Sequence, residues 1–175
     1  MLAARDVGPS GRVVLYDINR QMLQAGRPRV MHSSFGRCIS FVQGDAEQIS
    51  FPDHCFDAAM VGFGIRNLTH LERGFQEIYR VLKPGGKLIC LEFSSPTSPL
   101  FRRIYDWYSF SVMPRLGELM VGSRLAYTYL PESIRMFLSP EALNDVLEGI
   151  GFTRVAFRRL TNGIAVVHIG VRGGR

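Results

Sequence analysis

Phe56–Asn67 reads FDAAMVGFGIRN. Phe56, Ala58, Ala59, Met60 and Val61 form a short apolar run after a turn signal at Pro52-Asp53, which predicts a buried strand. The run ends in Gly62-Phe63-Gly64, where two glycines let the backbone bend sharply or approach a ligand closely. Arg66 and Asn67 stand just beyond, at the exit of the strand. In an open α/β sheet, ligands bind outside the carboxyl ends of the strands. A cationic donor and an amide at that place read as a site. A tight turn with a solvated Arg is the plainer reading.

The flanking segments repeat the pattern. Val13–Asp17 (VVLYD) and Ile39–Ala46 (ISFVQGDA) are strands that each run into a carboxylate, Asp17 and Asp45. Asn19 caps a helix from about Arg20 to Gly26, with Met22 and Leu23 facing the core and Pro28 interrupting it. Thr69 is placed to cap a helix over Leu71–Leu82, whose apolar positions Leu71, Phe75, Ile78 and Leu82 recur at helical spacing. Pro84-Gly85-Gly86 ends that helix and turns into a strand over Lys87–Phe93. Ser139, Pro140 and Glu141 open another helix. Two last strands, Thr153–Leu160 and Ile164–Val171, are joined by Thr161-Asn162-Gly163, a hairpin signal. Strands that end in polar residues, with helices between them, predict a nucleotide-type α/β sheet.

Composition narrows the function classes. At 175 residues the length fits one domain, and 46% hydrophobic residues supply an ordinary core. Cys38, Cys55 and Cys90 lack CxxC spacing, and the four histidines show no paired spacing, so neither a disulfide framework nor a metal site is expected. The net charge is +6, but the basic residues are scattered and carry no nucleic-acid motif, so no nucleic-acid partner is expected. No apolar run reaches the length of a membrane span, and the N-terminus has no apolar signal region. The expectation is a protein inside the cell, soluble or at a membrane surface. Residues 96–138 differ from the rest. They are rich in aromatic and Met side chains and broken at Pro114, Gly117 and Gly122. They are longer than a plain crossover needs, which favours a lid over a large apolar substrate, or a membrane-facing surface, over a core layer.

Seven segments occur in one order: DIN-x-x-ML (Asp17–Leu23), F-x-x-GDAE (Phe41–Glu47), FPD-x-x-FD (Phe51–Asp57), FGIRN (Phe63–Asn67), E-x-x-RVLKPGG (Glu77–Gly86), LEFS (Leu91–Ser94) and YLPESI (Tyr129–Ile134). Together they resemble the UbiE-type C-methyltransferases of ubiquinone and menaquinone biosynthesis. The resemblance covers residues 3–171 and implies a Rossmann-like class I methyltransferase sheet, mostly parallel with a C-terminal antiparallel hairpin. It implies S-adenosyl-L-methionine as cofactor and a polyprenylated quinol as substrate, methylated on a ring carbon. Carried onto this chain, it makes Asp17 the acceptor for the ribose hydroxyls and sets Asp45 and Ala46 at the adenine. Gly62 then meets the cofactor through its backbone. Arg66 and Asn67 face the quinol ring, with Asp45, Tyr108 or a water on Asn67 relaying the proton. A structural ion pair between Arg66 and Glu92 is the plainer role for that arginine. The resemblance also implies peripheral contact with the inner membrane from the cytoplasm, or from the matrix side in a mitochondrion. A homodimer or a quinone-pathway complex is the implied assembly.

The chain departs from that family in a loop at Phe137-Leu138-Ser139-Pro140, away from the chemistry, and in one respect that matters. The expected first strand and its glycine-rich loop, of the D-x-x-GGTGD kind, have no counterpart in Met1–Gly11. The expectation is therefore a single domain over 1–175 that is N-terminally incomplete. Its missing central strand belongs between the strands ending at Asp17 and near Val61. Burial of such a strand contributes on the order of 5–15 kcal/mol, as much as a whole domain's stability. A non-catalytic remnant that serves as a binding or assembly subunit is the alternative.

Overall fold

The computed structural model describes residues 2–8, 10–34, 36–108, 111 and 131–174. The chain divides into two compact units, Met1–Phe51 and Pro52–Arg175.

The first unit contains α1 (Leu2–Asp6), β1 (Val13–Asp17), α2 (Arg20–Met31) and β2 (Ile39–Gln43). β1 and β2 pair in parallel, Val13 opposite Ile39 and Asp17 opposite Gln43, so both strands end at one edge. Ala4, Val30 and Ile39 form a small core, with Val13, Cys38 and Phe41 packed against it. Asn19 caps α2 as expected, its side chain accepting from the Gln21 and Met22 amides. Two details differ from the sequence reading. The helix does not stop at Pro28 but runs on to Met31. A proline forfeits one ladder bond, yet the turn beyond it is held: Val30 is buried, and the His32 amide and Ser33 hydroxyl donate to the Pro28 and Val30 carbonyls. Met22, expected in the core, is 64% exposed, because the buried side of α2 is anchored at Val30 instead.

The second unit contains β3 (Phe56–Gly62), a 3-10 turn (Ile65–Asn67), α3 (Leu71–Val81), β4 (Leu82–Phe93) and α4 (Pro99–Trp107). A helical segment over 131–136, α5 (Pro140–Ile150), β5 (Phe152–Leu160) and β6 (Ala165–Arg172) complete it. The sheet order is β3-β4-β6-β5. β3 and β4 are parallel, and β6 runs antiparallel to both of its neighbours. The terminal hairpin is thus present. Asn162 and Gly163 take positive φ in its turn, and the Thr97 amide and hydroxyl donate to Asn162.

The core lies between the sheet and two helices. α3 supplies Phe75, Ile78 and Val81, α5 supplies Leu143 and Leu147, and the strands supply Leu82, Leu88, Cys90, Phe152 and Val166. Each large side chain buried there contributes about 1.5–3 kcal/mol. The Cys90 thiol is pushed up to about 12, by burial first and by the nearby Glu92 charge second, so it acts as a small packing residue. The cap position of α3 is His70 rather than Thr69. Ser139 caps α5 as read, accepting from the Ala142 amide, and Gly151 closes it in the left-handed conformation.

Pro84-Gly85-Gly86 does not separate helix from strand, because β4 begins at Leu82. The three residues instead lie in a bulge, where the pairing steps from Phe56 opposite Leu82 to Ala58 opposite Lys87. Gly85 takes φ +78° there. β3 was expected to be buried, and it is not: Met60 is 65% exposed. The reason is its place in the sheet. β4 is the sole ladder partner of β3, and β2 is the sole partner of β1, among the described residues. Among the described residues each of these strands is therefore paired along one edge only. Of the expected lid over 96–138, residues 109–110 and 112–130 lie outside the described residues. Its two described flanks are tied to each other by an ion pair of 2.9 Å between Arg135 and Asp106.

Candidate functional site

The two units present two groups of the expected residues, each at the carboxyl edge of a parallel strand pair.

In the first unit, Asp17 closes β1, and its Oδ1 accepts from the Asn19 amide at 2.7 Å. That bond fixes the carboxylate at the strand end while leaving it exposed. The Gly44 amide donates to the Asp17 carbonyl at 3.1 Å, which draws the end of β2 alongside. Asp45 follows, also exposed, its Oδ1 accepting from the Glu47 amide at 2.8 Å. Ala46 lies in the same turn, half-buried. Tyr16 holds the turn in place: its hydroxyl donates to the Asp45 carbonyl and accepts from the Ser50 amide, each at 3.3 Å. Two acceptor-only carboxylates on neighbouring strand ends suit a ligand rich in hydroxyl and amino donors. Tyr16, which sequence reasoning passed over, is the residue that sets this turn. Its place in a strand next to Asp17 was the available signal.

In the second unit, β3 exits through Gly62, Phe63 and Gly64. A Cβ at Gly62 would meet nothing within 4 Å, so that position faces open space. Neither glycine provides the bend. Phe63 does, at φ +57°. A bulky residue is rare in that conformation, and the left-handed region costs a non-Gly residue about 1–2 kcal/mol. The strain is held by specific contacts. The Phe63 ring stacks on Phe93, 4.2 Å between centroids, and its amide donates to the Leu91 carbonyl at 2.8 Å. The Ile65–Asn67 turn follows, with the Asn67 amide donating to the Gly64 carbonyl.

Arg66 is not solvated. Its side chain is 9% exposed and its Nη1 donates to Glu92 Oε1 at 2.7 Å and to the Phe63 carbonyl at 2.5 Å. The guanidinium also lies over the Phe93 ring at 5.4 Å. Glu92 is 1% exposed and accepts further bonds from the Arg66 and Phe93 amides. The ion pair named as the plainer reading is therefore present. Removing either partner of such a buried pair costs about 3–5 kcal/mol, because the other charge is left uncompensated. Arg66 Nε is buried and has no hydrogen-bond partner among the described residues. Glu92, in the LEFS segment, is the partner that the plainer reading names for Arg66. Its burial against the β3 exit depends on the parallel pairing of β3 with β4.

Tyr108 caps α4, exposed at the end of a helix that shows Leu100, Phe101, Ile104 and Trp107 to solvent. No cluster of His, Cys, Asp or Glu suited to a metal ion occurs among the described residues. A cavity of about 560 Å³ lies by His54, Tyr79, Pro84 and Arg172. Its guanidinium is already committed, donating to the Arg80 and Leu82 carbonyls and stacking on Tyr79, so it serves the end of α3. No helix among the described residues is long and apolar enough to cross a membrane.

Similarity to known proteins identifies the family and the fold. The chain is 46% identical over 169 residues to a ubiquinone/menaquinone biosynthesis C-methyltransferase UbiE of Stutzerimonas stutzeri (strain A1501), covering 97% of this chain and 66% of that protein. It is 46% identical over 166 residues to the protein of the same name from Pseudomonas fluorescens (strain SBW25), covering 95% of this chain and 65% of the relative. The chain thus spans just under two thirds of the length of these relatives. Among solved structures, a SAM-dependent methyltransferase from Aquifex aeolicus aligns with a TM-score of 0.68 at 17% identity, over 98% of this chain and 74% of that one. The [4+2]-cyclase SpnF aligns with a TM-score of 0.71 at 17% identity, over 99% of this chain and 71% of that one. These two show a shared Rossmann-like fold. The model of the ubiE/COQ5 methyltransferase family matches residues 1–172, and the chain belongs to that family.

Proposed function

We propose that this chain takes part in S-adenosyl-L-methionine-dependent C-methylation of a polyprenylated quinol ring. The substrate is demethylmenaquinol, 2-polyprenyl-6-methoxybenzoquinol, or both. The observation that carries the reading is the pair of exposed carboxylates, Asp17 and Asp45, on adjacent parallel strand ends of a ubiE/COQ5 family member. Asp17 suits the ribose hydroxyls, and Asp45 with Ala46 suits the adenine. Gly62, open to its surroundings, lets a ligand approach the backbone.

The cofactor supplies a methyl group on a positively charged sulfur. The chain's own residues act on the quinol. Loss of the hydroxyl proton pushes charge onto the adjacent ring carbon, which takes the methyl group as the methyl's bond to sulfur breaks, and loss of that carbon's own proton restores the aromatic quinol. Arginine does not deprotonate in proteins. Arg66 therefore serves as a fixed cation for the developing phenolate. Asp45, Tyr108 and a water on Asn67 are the candidate proton relays. The exposed apolar residues of α4, beside Arg102 and Arg103, support contact with the membrane surface where such substrates reside.

The test is titration calorimetry of the chain with S-adenosylhomocysteine, followed by methyl transfer to each quinol in lipid vesicles. Micromolar binding and methylation of a quinol are expected, with turnover lost and binding kept in Arg66→Ala. Binding without methylation of either quinol overturns the substrate assignment. A second reading rests on the unpaired edges of β1 and β3. It makes the chain a non-catalytic subunit, to which a second copy or another quinone-pathway protein adds a strand. Absence of both binding and turnover favours it.

A further inference from the structure

Glu92 has no role in the proposed reaction, yet it is heavily bonded and lies beside Arg66. It is buried, and it takes three donors: the Arg66 guanidinium, the Arg66 amide and the Phe93 amide. A carboxylate bonded to a residue through both its backbone and its side chain fixes the direction of that side chain as well as its charge. The remaining contacts of Arg66 act in the same sense. The Phe63 carbonyl accepts from the same Nη1, and the Phe93 ring lies against the guanidinium. Phe63 is itself held at positive φ by its stack on Phe93. The β3 exit is thereby locked to the end of β4 through two adjacent residues, Glu92 and Phe93.

Stability alone does not account for this arrangement. A buried ion pair is commonly replaced by apolar side chains with little loss. The lock also leaves Arg66 Nε buried without an acceptor among the described residues. Buried side-chain donors are for the most part satisfied, and an unsatisfied one calls for an explanation. A guanidinium held with a donor unspent suits an acceptor that the described residues do not supply.

We propose that Glu92 is a positioning residue. It fixes the Arg66 guanidinium so that Nε–H is held as a free donor for the oxygen anion of a hydroxyaromatic ligand. This rests on the proposed quinol reading for the identity of that ligand, but the positioning itself does not. Glu92 touches neither substrate nor cofactor and acts only through Arg66.

The experiment compares the chain with Glu92→Gln and Glu92→Asp, using two readouts. The first is the Arg66 Nε–H resonance in arginine-labelled protein, assigned by its loss in Arg66→Lys. It should exchange slowly with water in the parent chain and at least about tenfold faster in Glu92→Gln, because the charged acceptor that orients the guanidinium is gone. The second is quinol methylation. Glu92→Gln should lower kcat by about tenfold or more while KM for the quinol and S-adenosylhomocysteine affinity change by less than about twofold, the pattern of a lost transition-state contact. Glu92→Asp keeps the charge and should recover part of both signals. It also carries the test if Glu92→Gln does not fold. Unchanged Nε–H exchange, or parental kcat in Glu92→Gln, overturns the proposal. An inactive parent chain whose Nε–H still depends on Glu92 sinks the quinol reading and leaves the positioning role standing.

Discussion

A Cβ on Gly44 would stand 2.0 Å from the Tyr16 hydroxyl. The tyrosine ring crosses the backbone of the β2 exit at the one place where no side chain intervenes. From there its hydroxyl reaches both the Asp45 carbonyl and the Ser50 amide. The glycine of the GDAE segment is thus required by a neighbour in the strand beside it. Gly44→Ala is expected to displace Tyr16 and destabilise the chain by about 1–3 kcal/mol, the usual cost of overpacking. Urea unfolding would measure it, and an unchanged midpoint would show that the tyrosine moves aside freely.

Asp17 and Asp45 are exposed and bonded to local amides, so their substitution should spare the fold. Asp17→Asn and Asp45→Asn should leave the melting temperature of the unliganded chain nearly unchanged. Each should weaken S-adenosylhomocysteine binding by about tenfold to a hundredfold, since a hydrogen bond to a charged group contributes about 1.5–3 kcal/mol. Calorimetric titration reads this directly. Parental affinity in both variants would remove the carboxylates from the cofactor site.

His168 gives the chain an acid-sensitive core. It is 2% exposed, and its Nδ1 donates to Asn144 Oδ1 at 2.9 Å. Burial pushes its pKa down to about 4, with the Glu141 charge opposing that shift and Arg159 adding to it. The unfolded chain binds a proton near pH 6.5, and the folded chain does so only near pH 4. Stability from this group is therefore full above about pH 6.5 and is lost as the pH falls toward 4, by on the order of 2–3 kcal/mol. His168→Leu should flatten the stability profile between pH 7 and pH 4.5. A variant that keeps the parental slope would assign the acid sensitivity to other groups.

Phe63 separates strain from packing. Phe63→Ala keeps a Cβ at φ +57° and loses the stack on Phe93, whereas Phe63→Gly loses the stack and relieves the strain. The glycine variant should therefore be the more stable of the two by about 1 kcal/mol. Equal stabilities in denaturant titrations would mean that the backbone relaxes once the ring is gone.

Much of the local structure was legible because it depends on neighbours in the chain. Asn19 and Ser139 cap their helices through bonds only two or three residues long. The face of α3 follows from the helical spacing of Phe75 and Ile78, and the terminal hairpin from Asn162-Gly163. Asp17 and Asp45 were legible as strand-end carboxylates for the same reason. The ordered motifs also sufficed to identify the family.

Other features were decided only by chain segments far apart in sequence. Arg66 meets Glu92 across 26 residues because β3 and β4 pair in parallel with Gly62 opposite Leu91. No spacing rule reveals whether an arginine at a strand exit will be solvated or buried. The bend at the β3 exit fell to Phe63 rather than to either glycine, because Phe93 offers its ring a stacking partner. Met60 reads as core yet is exposed, since burial belongs to the whole sheet and, among the described residues, β3 has a ladder partner on one side only. Sequence determined which residues carry polar chemistry at the strand ends. Tertiary structure decided which of them stand open, as Asp17 and Asp45 do, and which, like Arg66, are clamped from beneath.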